Sequence, residues 1–403
     1  MTKISGSSKI RVLPGFFLLI SFSFSLSTLA ADDRVFFQVD PDAHTSEITD
    51  IVATKDGAYA VTGSLDKTIR VWDLSLRREV RQILGEAGEG DFGKIQAIAL
   101  SPDDQVLASG GIFGPETSAS AGDVRLYDFN SGTLKRRLSG STSPVTDLAF
   151  LSDGAYLAAG REDATITIWD CKNGYAVCHT FSDPGIKEKV NGITLFRDQD
   201  AVLLAAAVGD NLLVYSVTAK LLVAKKDMDD PVYSVCIDEK NKRIVVALKF
   251  SARSGSVYLY DYKLAQKGFF NAESGVEDLS IALSPDAGFI LVAGNTDKNQ
   301  AVLFYNDVKS RKYLMFPEVE KVSAIAFADS SRAVVAGGTE NALYVWDFIK
   351  GEEILLSKST PVIRDVGIDS STLYIGFDKT GAGFRFDLAI GLQDNKITEG
   401  IRE

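Results

Sequence analysis

The feature that most constrains this chain is self-similarity. Ile98-Ala99-Leu100-Ser101-Pro102-Asp103 recurs letter for letter at 281–286, and Asp56-Gly57-Ala58-Tyr59 recurs at 153–156. Each copy is a short apolar run, a turn rich in Asp, Ser and Gly, a second run ending in small residues, a polar turn, and a third run ending in an aromatic residue and Asp. The third runs are 69–73, 124–128, 166–170, 212–216, 257–261, 301–306, 343–347 and 382–387. Their last residues lie 55, 42, 46, 45, 45, 41 and 40 positions apart. Such a period accommodates about four short strands per copy and is not that of a helical repeat.

All three tryptophans of the 403-residue chain, Trp72, Trp169 and Trp346, fall in these third runs, each followed by Asp. Tyr127, Tyr215, Tyr260, Tyr305 and Phe386 are expected to hold the same place in the other copies. The pattern resembles the WD-repeat β-propeller family and covers essentially everything after the first thirty residues. The resemblance implies an all-β propeller of four-stranded blades: eight by the count of copies, seven if one copy is irregular. It also implies closure by a chain terminus, so Arg34 to Val39 is expected to pair with the last blade.

The resemblance assigns residues by position. In the most faithful copy the blade-locking hydrogen bonds would involve His44, Thr62 or Ser64, Asp66 and Trp72; Asp163 and Trp169 recur in the third copy, and Trp346 in the seventh. Their role would be structural. Partner binding is expected on the face that carries the loops between second and third strands and between successive blades. The second copy lengthens both loops, at 85–94 and 111–122, and loop insertions on a rigid scaffold tend to mark function. Phe92, Ile112 and Phe113 are candidate apolar anchors there; the alternative is that they fold down over the blade. Arg161, Glu162, Lys249, Phe250 and Arg253 are candidates on the same face, the basic ones for an acidic partner segment.

The first thirty residues read separately. Lys3, Lys9 and Arg11 precede an apolar stretch, and Thr28-Leu29-Ala30 stands before Ala31 as a signal peptidase site requires. Five hydroxyl residues between Ser21 and Thr28 leave no clean apolar span, so a retained anchor is not expected. The expected organisation is a cleaved signal at 1–30, one propeller at 31–390 and a polar tail at 391–403, in a protein exported to a periplasm or secreted.

The chain carries 43 Lys and Arg against 54 Asp and Glu, a net charge of −11. Loss of the signal would remove three basic residues and no acidic one, leaving 40 against 54, or −14. Such a surface repels phosphate backbones, so no nucleic-acid partner is expected. Two His and three Cys leave little material for metal or nucleophile chemistry, and no cofactor or metal is expected. Gly88 to Lys94 imitates a phosphate loop, but Ile95 stands where magnesium needs Ser or Thr and no helix follows. Cys171 and Cys178 flank a hairpin turn whose geometry disfavours a bridge. The reading is a non-enzymatic interaction scaffold. The alternative is a propeller enzyme or small-ligand binder, quinoprotein-, lactonase- or hydrolase-like, working at the mouth of the channel.

Overall fold

The computed structural model describes residues 43–358, except 86–87, 115–117, 119, 249–255, 272–275, 297–300, 307–312, 317–320 and 339. It also describes strands within 365–402 and two short strands, Leu19–Ile20 and Val39–Asp40, which pair with each other. Residues 46–358 form one compact unit. It consists of seven four-stranded antiparallel sheets, each made of four consecutive strands paired in chain order. Blade one comprises Ile48–Ala53, Tyr59–Ser64, Thr68–Asp73 and Arg78–Leu84. Blades two to seven begin at Ile95, Val145, Val190, Val232, Val276 and Val322.

The turns explain the recurring letters. Ser101 Oγ donates to Asp103 Oδ1 (2.6 Å) and accepts from Val106 N (2.9 Å); Ser284, Asp286 and Phe289 repeat this at 2.8 and 2.9 Å. A side-chain oxygen thus replaces a strand partner at the tip of the first hairpin. The Asp after the aromatic residue closes the next hairpin: Asp73 Oδ1 accepts from Ser75 N and Leu76 N, and Asp128 and Asp347 accept the corresponding amides.

Each sheet is apolar on both faces and must be covered by its neighbours. Seven clusters of buried residues fill seven junctions, and each takes one aromatic side chain from the end of a third strand. Trp72, Tyr127, Trp169, Tyr215, Tyr260, Phe304 and Trp346 serve blades one to seven, each packed toward the preceding blade. Phe304 corrects the expected Tyr305. Ile290 pairs with Phe304 as Ala60 pairs with Trp72, and strand periodicity sends the next residue to the opposite face.

Small residues set the spacing. The second-strand residue paired just beyond the register shift of the first strand is Gly63, Gly110, Gly160, Ala207, Ala247, Ala293 and Ala336 in turn. A Cβ on Gly63 would lie 2.8 Å from Ile95 Cγ2, on Gly110 2.4 Å from Val145 Cγ1, and on Gly160 2.5 Å from Val190 Cγ1. The β-branched residue opening each following blade occupies that space.

The ring closes between blades seven and one. Ala324, Val334, Ala336, Leu343 and Val345 pack on Ile48, Ile51, Ala60, Trp72 and Leu74, and the first strands of the two blades face each other. Arg332 Nη2 donates to Gly57 O at 3.1 Å. The count is therefore seven, the second of the two expected numbers. Closure by a terminal strand is corrected as well. Blade seven has its own fourth strand, Glu352–Ser357, so no place is left for Arg34 to Val39, of which 34–38 lie outside the described residues.

The eighth copy folds into a sheet of its own, Asp365–Ile368, Thr372–Gly376, Gly383–Gln393 and Lys396–Arg402, in which Leu373 pairs with Phe386. Residues 359–403 and 1–45 form a second compact unit. The last strand runs through the segment expected as a polar tail. The expected signal peptide lies outside the described residues but for Leu19–Ile20.

Gly57 and Gly154 occupy equivalent turns with φ of +65° and +71°. A Cβ on Gly57 would sit 2.6 Å from the carbonyl oxygen of Ala328 in blade seven, whereas on Gly154 it meets only Pro102 Cδ at 3.7 Å. Both Gly→Ala changes incur the left-handed penalty of about 1 kcal/mol, but only Gly57→Ala disturbs the closing junction. Thermal unfolding should place Gly57→Ala several degrees below Gly154→Ala; equal melting temperatures would count against this account of closure.

Candidate interaction face

The two long loops of blade two are built as one piece. Gly93 N donates to Ile112 O (2.7 Å) and Ile112 N to Lys94 O (3.1 Å), which ties the entry loop to the loop between second and third strands. Gly111 permits this approach, because a Cβ there would lie 2.1 Å from Lys94 O. Neighbouring blades hold the outer parts: Lys67 Nζ donates to Gly88 O (2.7 Å) and Gly122 N to Ser141 O (3.0 Å). Gly122 also has no room for a side chain, with Ser143 O 2.1 Å from its Cβ position.

The expected anchors divide. Phe113 is buried in the junction of blades one and two, with the Arg125 guanidinium 4.0 Å from its ring centroid. It folds down over the blade and is unavailable as an anchor, since it is the apolar floor the loops need. Phe92 and Ile112 are half-buried, and Phe92 lies over Gly88, where a Cβ would touch its ring.

Arg161 is also corrected. It is 2% exposed, its Nη1 donates to Thr167 Oγ1 (2.8 Å), and its guanidinium lies 5.7 Å from the Trp169 ring centroid. Burial lowers its pKa. The strand register makes Arg161 the counterpart of Ser64, a buried position in blade one, and that alignment is the signal that would have placed it inside. Glu162 is exposed, as is Asp163. Together with Glu89 and Asp91 they make the described charge on this rim acidic, with Lys94 already paired to Asp91 at 2.6 Å. Lys249, Phe250 and Arg253 lie outside the described residues.

In blade one Trp72 Nε1 donates to Thr62 Oγ1 at 2.9 Å, so of the two candidate hydroxyls Thr62 meets the indole. Ser64 Oγ donates to Ser46 O (3.1 Å) and accepts from Asp66 N (3.0 Å), while Asp66 Oδ1 accepts from Thr68 N and Oγ1. Asp163 makes the same turn with Thr165 N and Oγ1 at 3.1 and 2.6 Å. His44 is buried. Ala159 and Val335 hold in blades three and seven the strand position that Thr62 holds in blade one, and Trp346 makes an edge contact with Phe348 at 5.8 Å.

Two residues went unremarked in the sequence, Asp50 and Asp147. Each occupies the third position of a first strand, and each oxygen accepts one backbone amide. Asp50 takes Ile51 N (2.8 Å) and, across the junction, Ile98 N of blade two (2.8 Å). Asp147 takes Leu148 N (2.8 Å) and Ile193 N of blade four (2.6 Å). Burial pushes their pKa values up to about 8 and about 7, against the lowering effect of these amides; for Asp50 the Asp147 charge adds to the rise. The repeated quartets Ile48-Thr49-Asp50-Ile51 and Val145-Thr146-Asp147-Leu148 were the available signal.

Cys171 and Cys178 are free thiols. They pack on opposite faces of blade three, Cys171 toward blade two and Cys178 toward blade four, which rules out a bridge. Among the described residues, no three His, Cys, Asp or Glu gather as a metal ion would need.

Seven four-stranded blades, with a Trp-Asp or equivalent pair closing the third strand, define a WD-repeat β-propeller. Two stretches of the chain, residues 37–73 and 132–170, match the model for the WD domain, G-beta repeat. Among curated proteins the chain is similar to anaphase-promoting complex subunit cdc20 of Dictyostelium discoideum, 35% identical over 136 residues, 33% of this chain and 24% of that protein. Target of rapamycin complex subunit wat1 of Schizosaccharomyces pombe is 31% identical over 114 residues, 28% and 32% of the two chains. Small ribosomal subunit protein RACK1y of Oryza sativa is 22% identical over 225 residues, 45% and 63%. The chain thus spans less than two thirds of each of these relatives, whose names place them in larger assemblies.

Proposed function

We propose that this protein is an exported, non-catalytic interaction scaffold whose partner is a protein gripped at the coupled loops of blade two and the adjoining rim of blade three. The observation that carries the reading is the mutual tethering of those loops: insertions pinned to each other and to both neighbouring blades present a surface with little ordering left to lose on binding. The exposed acids Glu89, Asp91, Glu162 and Asp163 favour a basic segment of the partner, which reverses the acidic segment expected from Arg161. Half-buried Phe92 and Ile112 would supply the apolar contact. The similarity to subunits of complexes supports an assembly role, and the amino-terminal signal pattern supports export, most simply to a periplasm.

Asp91→Lys with Glu162→Lys alters exposed side chains only, so the melting temperature should stay within about 2 °C. Crosslinking of the tagged full chain in its native envelope extract should then recover the partner at least tenfold less well. Equal recovery, or turnover of a small substrate by the wild type, would overturn the reading.

A further inference from the structure

The outer strand of blade four, Leu221–Asp227, exposes the longest apolar run among the described side chains of the ring's outer strands; blade three exposes only Ala176 and Val177 in succession. Leu221, Leu222 and Val223 are 51%, 40% and 53% exposed, three apolar residues in succession on a strand bonded on one side only, to Asn211–Ser216. The edges of blades one, two and seven carry charge instead, at Arg78-Glu79, Lys135-Arg136-Arg137 and Glu352-Glu353. Charged edges discourage pairing with foreign strands, whereas an exposed apolar run invites it, and on this strand the charges are confined to 225–227, beyond the run. The register shift beside Val214 leaves Val223 opposite no residue of the inner strand.

Charge tells what would pair there. Exposed Lys220 and Lys225 bracket the apolar run. Lys225 has only a long contact with Asp227, at 3.7 Å, and the Lys226 ammonium lies 5.7 Å from the Tyr260 ring centroid. These lysines stand on a chain of net charge −11. A second copy is a poor occupant. Antiparallel self-pairing centred on Ala224 would set Val223 against Lys225 and Leu221 against Asp227, and two acidic chains repel.

We infer that the Leu221–Asp227 edge of blade four adds an extended segment of a different protein, antiparallel, with acidic residues facing Lys225 and Lys226 and apolar residues facing Leu221 to Val223. Backbone pairing would supply affinity and the alternating side chains selectivity. The site lies on the blade's outer edge, apart from the blade-two loops, and stands or falls independently of them.

Three labelled ten-residue synthetic peptides test this against the full chain by fluorescence anisotropy. One carries two glutamates followed by alternating valine and threonine; the second has lysines for the glutamates; the third has proline at its centre. The acidic peptide should bind at least tenfold more tightly than the other two, more weakly as salt rises, and should protect the 221–227 amides from hydrogen exchange. Lys225→Glu should reverse the preference toward the lysine peptide, and Val223→Glu should abolish binding of all three. Both change exposed side chains and should leave the melting temperature unchanged. Equal binding of the three peptides, no binding, or protection elsewhere would overturn the proposal. So would a concentration-dependent dimer that Val223→Glu dissolves, which would assign the edge to a second copy.

Discussion

Trp72→Ala should lower the stability of the ring by about 3–5 kcal/mol, or roughly 10 °C in melting temperature for a domain of this size. Three losses coincide. The indole is buried in the junction of blades one and seven, so truncation leaves a cavity at the contact that closes the ring. Its Nε1 also donates to Thr62 Oγ1 at 2.9 Å, and losing that buried hydrogen bond costs about a further 1 kcal/mol. A loosened closing contact then exposes the faces of two blades. Trp72→Phe separates the effects, since it keeps most of the packing and loses the hydrogen bond. In a double-mutant cycle with Thr62→Val the two sites should couple by about 1 kcal/mol. A Trp72→Ala protein that melts with the exposed-site control Val177→Ala would refute this account of closure.

The residues that made the fold legible were those whose chemistry repeats. Ser101-Pro102-Asp103 and its copy reported a hairpin whose side-chain bonds are the same in both places, and Trp-Asp pairs reported a buried aromatic followed by a turn-closing carboxylate. Periodicity was less decisive where the letters diverge. Phe304 and Tyr305 both suit a third-strand end, and only pairing with Ile290 shows which faces the junction. The blade number was obscure for a related reason: the eighth copy has a blade's internal pattern and pairing, yet ring membership depends on which sheets cover blade one, a long-range choice absent from local letters.

The candidate face was legible in outline only. Unusual loop length singled out blade two, but length does not say which side chains turn inward. Phe113 and Arg161 sit in segments that look polar and exposed; Arg161 is buried as the last residue of the second strand of blade three, and Phe113 because the loop after Gly111 folds it into the junction of blades one and two. Buried charges are generally hydrogen-bonded, and Arg161 Nη1 does donate to Thr167 Oγ1, but that rule does not locate the residue from sequence.

Replacing both Asp50 and Asp147 with Ala should be the most damaging pair of single-residue changes in the inner strands. Each carboxylate joins two adjacent blades through backbone amides, and an unsatisfied buried N–H costs about 1–3 kcal/mol. Four amides are released by the pair, two of them across junctions. The two sites bridge different junctions, so their effects should be nearly additive at low pH, where both are protonated and the charge of Asp147 no longer acts on Asp50. The pH dependence has a definite sign. In the unfolded chain both groups have a pKa near 3.9, whereas burial raises them in the ring to about 8 and about 7. Between these limits the folded state binds more protons than the unfolded state, so stability is greatest at the acid end and falls as pH rises through about 8. Turn carboxylates such as Asp56, Asp103 and Asp286, whose pKa values are lowered by hydrogen bonds from neighbouring hydroxyls and amides, act only below about pH 4 and leave this window untouched. Wild-type protein should therefore melt several degrees higher at pH 5 than at pH 9, and Asp50→Asn with Asp147→Asn should flatten that slope whatever it does to the absolute melting temperature. A slope that survives both substitutions would place the titration elsewhere and deny the two carboxylates their raised affinity for protons.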